Sequence, residues 1–352
     1  MNGKRLLITG GCGFIGSNFI NYLIDNYDDF RLINFDFEGI GSNKSFIKEL
    51  RTDKQEIHHI RWDISRDIIK NRVWDDLPFD YLINFAAESH VDRSITTPEP
   101  FISSNVMGTM QMLELARKIG IKRVIHISTD ECVGSVKKPA KETAKYNPSS
   151  VYSASKASAE MICNAYKLTY GMDIIITRCG NNYGPNQFEE KLIPKAIKNA
   201  LNGEKIPVYD KGEQVREWVF VEDHIKDIIF VAEYGKSGEI YNVGRYGYPL
   251  KNLDLVKKIL KILNKSEELI EFKPNARLGH DFKYAINTDK LKQLYKTVAR
   301  QHYDSNTSPN LYNDTFEDDM KFIEIVDKVF NENIFDVRLK ETIKYYENRG
   351  KN

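Results

Sequence analysis

The chain has 352 residues, of which 51 are basic and 50 acidic, for a formal net charge of +1, and 41% are hydrophobic. The hydrophobic share supports a full core and excludes overall disorder. The balanced charge gives no bulk attraction to nucleic acid or to a membrane surface. The four cysteines, Cys12, Cys132, Cys163 and Cys179, form no Cys-x-x-Cys pair, so no metal site is expected. A strand-like run, Arg5–Thr9, follows Met1 almost at once and leaves no room for a secretory leader. No apolar run approaches the roughly 18 residues of a membrane span. These features place the protein in the reducing cytoplasm.

In chain order, Leu6–Ile8 predicts a short buried strand, and residues Phe14–Tyr27 carry helical periodicity. Strands are expected at Leu32–Phe35, Tyr81–Phe85, Val124–Ser128 and Ile174–Thr177. Helices are expected at Ser104–Ile119 and Tyr152–Tyr170. The alternation predicts an α/β fold, a parallel sheet covered on both faces. After Gly180 loops rich in Gly, Pro and Asn interrupt the pattern, notably Asn181–Asn186. The expected organisation is a nucleotide-binding domain over 1–180, with a later contribution around 215–245. A smaller substrate-binding lobe lies mainly in 181–352. The polar stretch from Gln301 to Asp319 reads as a surface insertion.

Gly10, Gly13 and Gly16 follow the first strand and open the first helix. The first glycine permits a tight turn, the second lets the backbone approach a pyrophosphate, and the third allows close helix–strand packing. With the strand–turn–helix context, this predicts a Rossmann-type doubly wound sheet that binds a dinucleotide. Asp36 ends the second strand about 20 residues on, where a carboxylate bonds the adenosine ribose and repels a 2′-phosphate. Phe37 and Glu38 supply no cation for that phosphate, so NAD is favoured over NADP. Asp63 and Ile64 are placed to hold the adenine edge in the next turn.

Tyr152 and Lys156 lie four residues apart, on one face of a helix. A phenol titrating near 10 is a poor base at neutral pH, and a neighbouring ammonium favours its phenolate. Ser128-Thr129-Asp130-Glu131 sits at the carboxyl end of a strand, where open α/β sheets place their ligands. Paired carboxyls with separated pKa values suit a dehydration, which needs an acid and a base.

On these residues the chain resembles the extended short-chain dehydrogenase/reductases, and within them the dTDP-glucose 4,6-dehydratases. The matching stretches are Gly10–Ser17, Ala86–Ile95, Asn105–Thr109, Ser128–Glu131, Tyr152–Lys156, Arg178–Pro185, Glu190–Pro194, Arg216–His224 and Gly279–Asp281. The resemblance implies a lyase that binds NAD tightly and recycles it while converting a nucleoside-diphosphate hexose to its 4-keto-6-deoxy form. It implies that Tyr152 takes the 4-hydroxyl proton, with Thr129 bonding the same oxygen and Lys156 lowering the Tyr152 pKa. It gives Glu131 the C5 proton and makes Asp130 the acid for the departing 6-hydroxyl. It places Phe14, Ile15, Ala86, Ala87, Ser104 and Asn182 on the cofactor. Ser89, Asn181, Lys191 and Leu192 fall on the substrate, and Pro207, Val208 and Tyr209 beside the nucleoside base. Arg216 and Arg277 are assigned to the diphosphate, with His280 and Tyr284 nearby. It also implies a homodimer built on the two helices Ser104–Ile119 and Ser153–Tyr170.

The chain departs from the family where Cys132 and Val133 replace the usual Val-Tyr, and where Phe37-Glu-Gly39 replaces Leu-Thr-Tyr. The family's asparagine in the loop after Tyr241–Gly244 has no clear equivalent here, where Gly247 falls, so the sequence leaves thymidine and uridine both open. A 4-epimerase or decarboxylase would share the glycine turn and the Tyr/Lys pair, but an epimerase does not need Asp130 and Glu131. A non-catalytic NAD-binding scaffold would need neither set.

Overall fold

A computed structural model describes residues 1–66, 78–244, 248–274, 281–304 and 334–349. Seven strands form one parallel sheet: β1 (Lys4–Thr9), β2 (Phe30–Asp36), β3 (Gln55–Arg61), β4 (Tyr81–Asn84), β5 (Arg123–Thr129), β6 (Ile174–Cys179) and a late strand, β10 (Ile240–Val243). Their spatial order is β10-β6-β5-β4-β1-β2-β3. The chain runs outward from β1 to β2 and β3, then returns to β4 on the other side. The order therefore reverses at β1, and the carboxyl ends of β1 and β4 flank the crevice where such sheets bind ligands. This is the doubly wound α/β fold expected from the strand–helix alternation.

Both faces of the sheet are covered. On one, helices α1 (Phe14–Asn26), α7 (Val221–Tyr234) and α9 (Asp289–Asp304) bury Phe19, Phe230 and Tyr295. The rings of Phe230 and Tyr295 stack with centroids 3.6 Å apart. On the other face, α4 (Thr109–Ile119) and α5 (Val151–Tyr170) bury Leu113, Ala116 and Cys163 against Ile174 and Ile176. A separate core joins α6 (Leu192–Asn202), α8 (Asn252–Ile262) and the C-terminal helix α10 (Phe335–Arg349), around Ile197, Trp218, Leu255 and Leu339. Two small sheets accompany it. One pairs β11 (Tyr248–Lys251), β9 (Val215–Phe220) and β7 (Asn181–Tyr183), and the other pairs β12 (Ile270–Lys273) with β8 (Ile206–Tyr209).

Helix α5 shows why the local sequence folds as it does. Ser150 caps it by accepting the Ser153 N–H, and Ser153 returns a bond to the Ser150 N–H, a reciprocal capping box. It ends at Gly171, whose φ of +67° is the left-handed conformation a helix stop favours. Tyr152, Lys156 and Glu160 recur every four residues on its buried face.

Three local features differ from the sequence expectation. The helix expected from Ser104 opens instead with a short turn, α3 (Glu99–Phe101), and a π-helical segment, Ile102–Gly108, before α4 begins. Wide turns of this kind cluster at functional sites. Here the turn aims Asn105 inward: its Oδ1 accepts the Glu88 N–H at 2.8 Å, and its Nδ2 donates to Glu88 O at 3.0 Å and to Ser155 Oγ at 2.8 Å. The polar stretch from Gln301 begins as the last turn of α9, and residues 305–319 lie outside the described residues. Strand β3 was not expected at all; it pairs in parallel with β2 from Phe30 opposite Gln55 to Asp36 opposite Arg61.

Candidate active site

A cleft of about 480 Å³ opens at the carboxyl ends of the parallel strands. Its floor is the glycine turn between β1 and α1. Gly10 has φ +71°, and a Cβ there would lie 2.7 Å from the Ala86 amide nitrogen. A Cβ on Gly16 would lie 2.3 Å from the Gly10 carbonyl oxygen. Both positions exclude any side chain, which keeps bare backbone at the mouth of the helix. Gly13 caps α1 with no side-chain bond, leaving the helix N-terminus facing the cleft that Gly13, Phe14 and Ile15 line. Those N–H groups suit a pyrophosphate. Asp36 closes this end: one carboxylate oxygen accepts the Cys12 N–H at 2.8 Å, and the other accepts the Glu38 N–H at 2.7 Å and the Ser42 hydroxyl at 2.8 Å. The bare turn, open helix end and strand-terminal carboxylate together fit an adenine dinucleotide.

Ala86, Ala87, Asp63, Ile64, Ser104 and Asn182 also line the cleft. Asp63 turns its Oδ1 to Ser65, accepting from the backbone N–H at 3.0 Å and the hydroxyl at 2.7 Å. Asn182 is held from behind. Its Oδ1 lies 2.9 Å from His224 Nδ1, and its Nδ2 donates to Cys179 Sγ at 3.2 Å and to Gly180 O at 3.1 Å. Because an amide oxygen only accepts, His224 carries its proton on Nδ1. Burial holds the ring neutral, with its pKa lowered to about 3.

The reactive corner is built where β5 meets α5. Thr129 is the last residue of β5; its hydroxyl donates to Asp130 Oδ1 at 3.2 Å and accepts the Glu131 N–H at 3.3 Å. Tyr152 is buried, and burial first, then the charge of Glu131, pushes its pKa well up. Lys156 lies one turn along α5 and donates to the Ile127 carbonyl at 2.6 Å; burial lowers its pKa. Among the protein's own groups, burial therefore outweighs any ammonium effect on Tyr152. Asp130 is 2% exposed. Burial first, then Glu131 and Glu217, raises its pKa well above the carboxylate range. This buried carboxyl, whose surroundings disfavour its charge, stands next to Glu131, which faces the cleft.

Directly behind this corner lies a second buried polar group. Glu160 and Arg178 are both buried and form an ion pair at 2.6 Å. Tyr146 donates to Glu160 at 2.9 Å, Ser128 donates to its other oxygen, and Arg178 also reaches the Glu142 carbonyl at 3.3 Å. Cys132 packs here, with its Sγ 3.5 Å from Ser128 Oγ, and burial pushes its thiol pKa up. A buried protonated thiol is a packing group rather than a nucleophile.

Of the residues assigned to substrate, Ser89, Asn181 and Lys191 join Thr129 on the cleft wall. Lys191 donates to the Ser89 carbonyl at 3.2 Å, and His90 pairs with Glu190, so two links cross the cleft mouth. Leu192, Pro207, Val208, Tyr209, Arg216 and Tyr284 lie off that wall. Leu192 starts α6 against the second core, Val208 is buried within it, and Tyr209 is partly exposed beyond Pro207. Arg216 donates to the backbone carbonyls of Val215, Phe282 and Asp281, and its guanidinium lies 4.4 Å from the Tyr284 ring centre. Tyr284 donates to Asp281 at 2.7 Å. Arg277 and His280 lie outside the described residues. The cleft also uses Trp62, the Gly39–Ser42 loop, Gln187 and Phe188, which the sequence reading did not single out. Among the described residues no group of His, Cys, Asp and Glu is arranged for a metal, and no helix is long and apolar enough to cross a membrane.

The sequence matches the NAD dependent epimerase/dehydratase family over residues 6–244. It is 38% identical over 342 residues to a dTDP-glucose 4,6-dehydratase of Escherichia coli, covering 88% of this chain and 92% of that protein. It is 43% identical over 291 residues to the low-salt glycan biosynthesis protein Agl12 of Haloferax volcanii, covering 82% of this chain and 92% of that one. The fold superposes on DesIV, a dTDP-glucose 4,6-dehydratase from Streptomyces venezuelae crystallised with NAD, at a TM-score of 0.80, 34% identity and 98% of each chain. A UDP-N-acetylglucosamine 4-epimerase from Methanobrevibacter ruminantium superposes at 0.79 with 25% identity, over 99% of this chain and 100% of that one. The likeness extends over most of the chain's length, and the protein belongs to the NAD dependent epimerase/dehydratase family, as an NAD-binding extended short-chain dehydrogenase/reductase of the nucleotide-sugar dehydratase type.

Proposed function

We propose that the protein dehydrates a nucleoside-diphosphate hexose of the dTDP-glucose or UDP-glucose type to its 4-keto-6-deoxy product. The observation that carries this reading is the pair of adjacent carboxyls, buried Asp130 and cleft-facing Glu131, in the corner that also holds Tyr152. Epimerisation at C4 needs one base; loss of water across C5 and C6 needs a base and an acid. When bound, NAD would supply the hydride acceptor and donor for the reaction and a positive charge that favours the phenolate. Tyr152, as phenolate, takes the 4-hydroxyl proton while Thr129 bonds that oxygen. Lys156 holds the cofactor ribose. The 4-ketone acidifies the C5 proton, Glu131 removes it, and Asp130 protonates the departing 6-hydroxyl.

The expected division of labour gives 1–180, with the 215–245 segment, to the cofactor, and most of 181–352 to the nucleotide sugar. Helix α9, packed on the first core, is an exception to that division. A homodimer through a four-helix bundle is supported by exposed Ile102 and Met107 on the α3–α4 segment and by Met161 and Leu168 on α5, the last 72% exposed. Four free, buried cysteines fit a reducing cytoplasm.

The test is a side-by-side assay with dTDP-glucose, UDP-glucose and their N-acetylated counterparts. A 4-keto-6-deoxy product, seen as absorbance developed in alkali, is expected from one of them. A 4-epimer in its place, or no product from any, overturns the reading.

A further inference from the structure

The loop from Gly184 to Phe188 reaches the cofactor cleft and is tied down from two sides. From α1, Asn18 donates to the Pro185 carbonyl at 2.8 Å, and Asn186 Nδ2 donates to the Ser17 hydroxyl at 3.3 Å. From the C-terminal helix α10, the Tyr345 hydroxyl donates to Asn186 Oδ1 at 2.6 Å. The Tyr346 hydroxyl donates to the Gln187 carbonyl at 2.8 Å, with the Gly184 carbonyl 3.3 Å away. Asn186 itself has φ +65°, a left-handed conformation that a residue with a side chain enters at a cost. Its two side-chain bonds hold that turn in place.

The loop joins two parts of the cleft. Gln187 Nε2 donates to the Asn182 carbonyl at 2.8 Å. At the other end Phe188 lies against Gly41, where an added Cβ would stand 3.4 Å from the Phe188 Cβ and Cγ. Gly41 belongs to the loop that follows Asp36, and Gly41, Asn182, Gln187 and Phe188 all line the cleft. Helix α10 also reaches the Asp36 side. Arg349 donates to the Tyr345 hydroxyl at 3.3 Å, and its guanidinium lies 5.0 Å from the ring centre of Phe46, just past that loop. One helix therefore touches both partners of the Phe188–Gly41 contact.

We propose that residues 184–188 form a clasp that retains bound NAD, with α10 as its bolt. Departure of the dinucleotide requires Phe188 to part from Gly41. That movement gives up an apolar contact, and it strains a loop whose shape Tyr345 and Tyr346 fix by hydrogen bonds. Tyr345 and Tyr346 are positioning residues, since neither lines the cleft. Retention of NAD in this way is independent of whether the bound sugar is dehydrated or epimerised.

The experiment follows exchange of bound NAD for isotope-labelled NAD in the purified, NAD-loaded protein, with no sugar present. Phe188→Ala should speed exchange about tenfold, and Phe188→Leu should bring it back toward the native rate. Tyr346→Phe keeps the ring and removes the hydroxyl, and should speed exchange about three- to tenfold. Tyr345→Phe, at a half-buried position, should act in the same direction and carries the test if Tyr346→Phe fails to fold. Combining Phe188→Ala with Tyr346→Phe should give less than the product of the two gains, because both open one clasp. Native exchange rates in Phe188→Ala overturn the clasp. Acceleration by Phe188→Ala with native rates in both tyrosine variants overturns the role of α10, as does full multiplication of the gains. Failure of the dehydratase reading looks different: it changes which product forms and leaves NAD exchange as described.

Discussion

Tyr152, Lys156 and Glu160 stand one helical turn apart on the same buried face of α5, yet their two ends live in opposite conditions. At the rear, Glu160 is bound by Arg178, Tyr146 and Ser128, so its charge is balanced and its oxygens are used. At the front, burial and two neighbouring acidic side chains disfavour the charge of Asp130, and one of its oxygens has no hydrogen-bond partner among the described residues. A satisfied buried network fixes geometry; an under-satisfied one stores a tendency to move protons. The rear cluster holds the strand end and the helix in register so that the front can remain under-satisfied without collapsing.

The sharpest way to break that comparison is to cut the rear. Glu160→Ala leaves a buried guanidinium unpaired and should lower stability by about 3–5 kcal/mol. Denaturant unfolding checks this, and a loss below about 1 kcal/mol would show that the rear cluster holds nothing in register. Tyr152→Phe should do the reverse, lowering kcat by roughly 10²–10⁴ while leaving the unfolding midpoint unmoved. If the activity persisted, the front would not be where the chemistry happens.

Glu217 sharpens the contrast through pH. Burial raises its pKa from 4.5 to about 7, so the fold prefers its protonated form. Its contribution is complete below about 4.5 and is lost as the pH rises through about 7. Glu217→Gln should therefore gain on the native protein, by something on the order of 2 kcal/mol, as the pH goes from 5 to 8. Melts across that range check it, and parallel pH curves would remove Glu217 from the account. The smallest effect is expected from Ser150→Ala, which deletes the α5 cap and should cost about 1 kcal/mol with kcat unchanged. A large fall in kcat would mean that the cap, rather than the rear cluster, sets the position of Tyr152.

Much of this arrangement was legible before any coordinates. Gly10, Gly13 and Gly16 were readable because a glycine turn between an apolar strand and a helix has one geometric use. Tyr152 and Lys156 were readable because four residues make one helical turn. Strand β3 was not: as the edge strand it is half exposed, and Gln55–Arg61 alternates polar residues where an apolar run was sought. The pairing of Glu160 with Arg178 joins a helix to the next strand over, and nothing in their spacing marks them as partners. Gln187 and Phe188 reach the cleft from a loop that Tyr346 holds by donating to the Gln187 carbonyl at 2.8 Å, a contact between segments far apart in sequence. The role expected of Lys156 was also incomplete, since spacing gives proximity to Tyr152 but not the pull of the Ile127 carbonyl on the ammonium.

Asp36 shapes what redesign of this protein must respect. Its carboxylate, the proposed ribose ligand, is also a structural rivet, joining the Cys12 amide of one loop to the Glu38 amide and Ser42 hydroxyl of another. Exchanging it for a neutral or cationic residue to admit a 2′-phosphate releases all three donors at once. A switch of dinucleotide preference therefore has to be engineered as a replacement of the whole loop from Phe37 to Ser42, with new acceptors built in, and not as a point substitution.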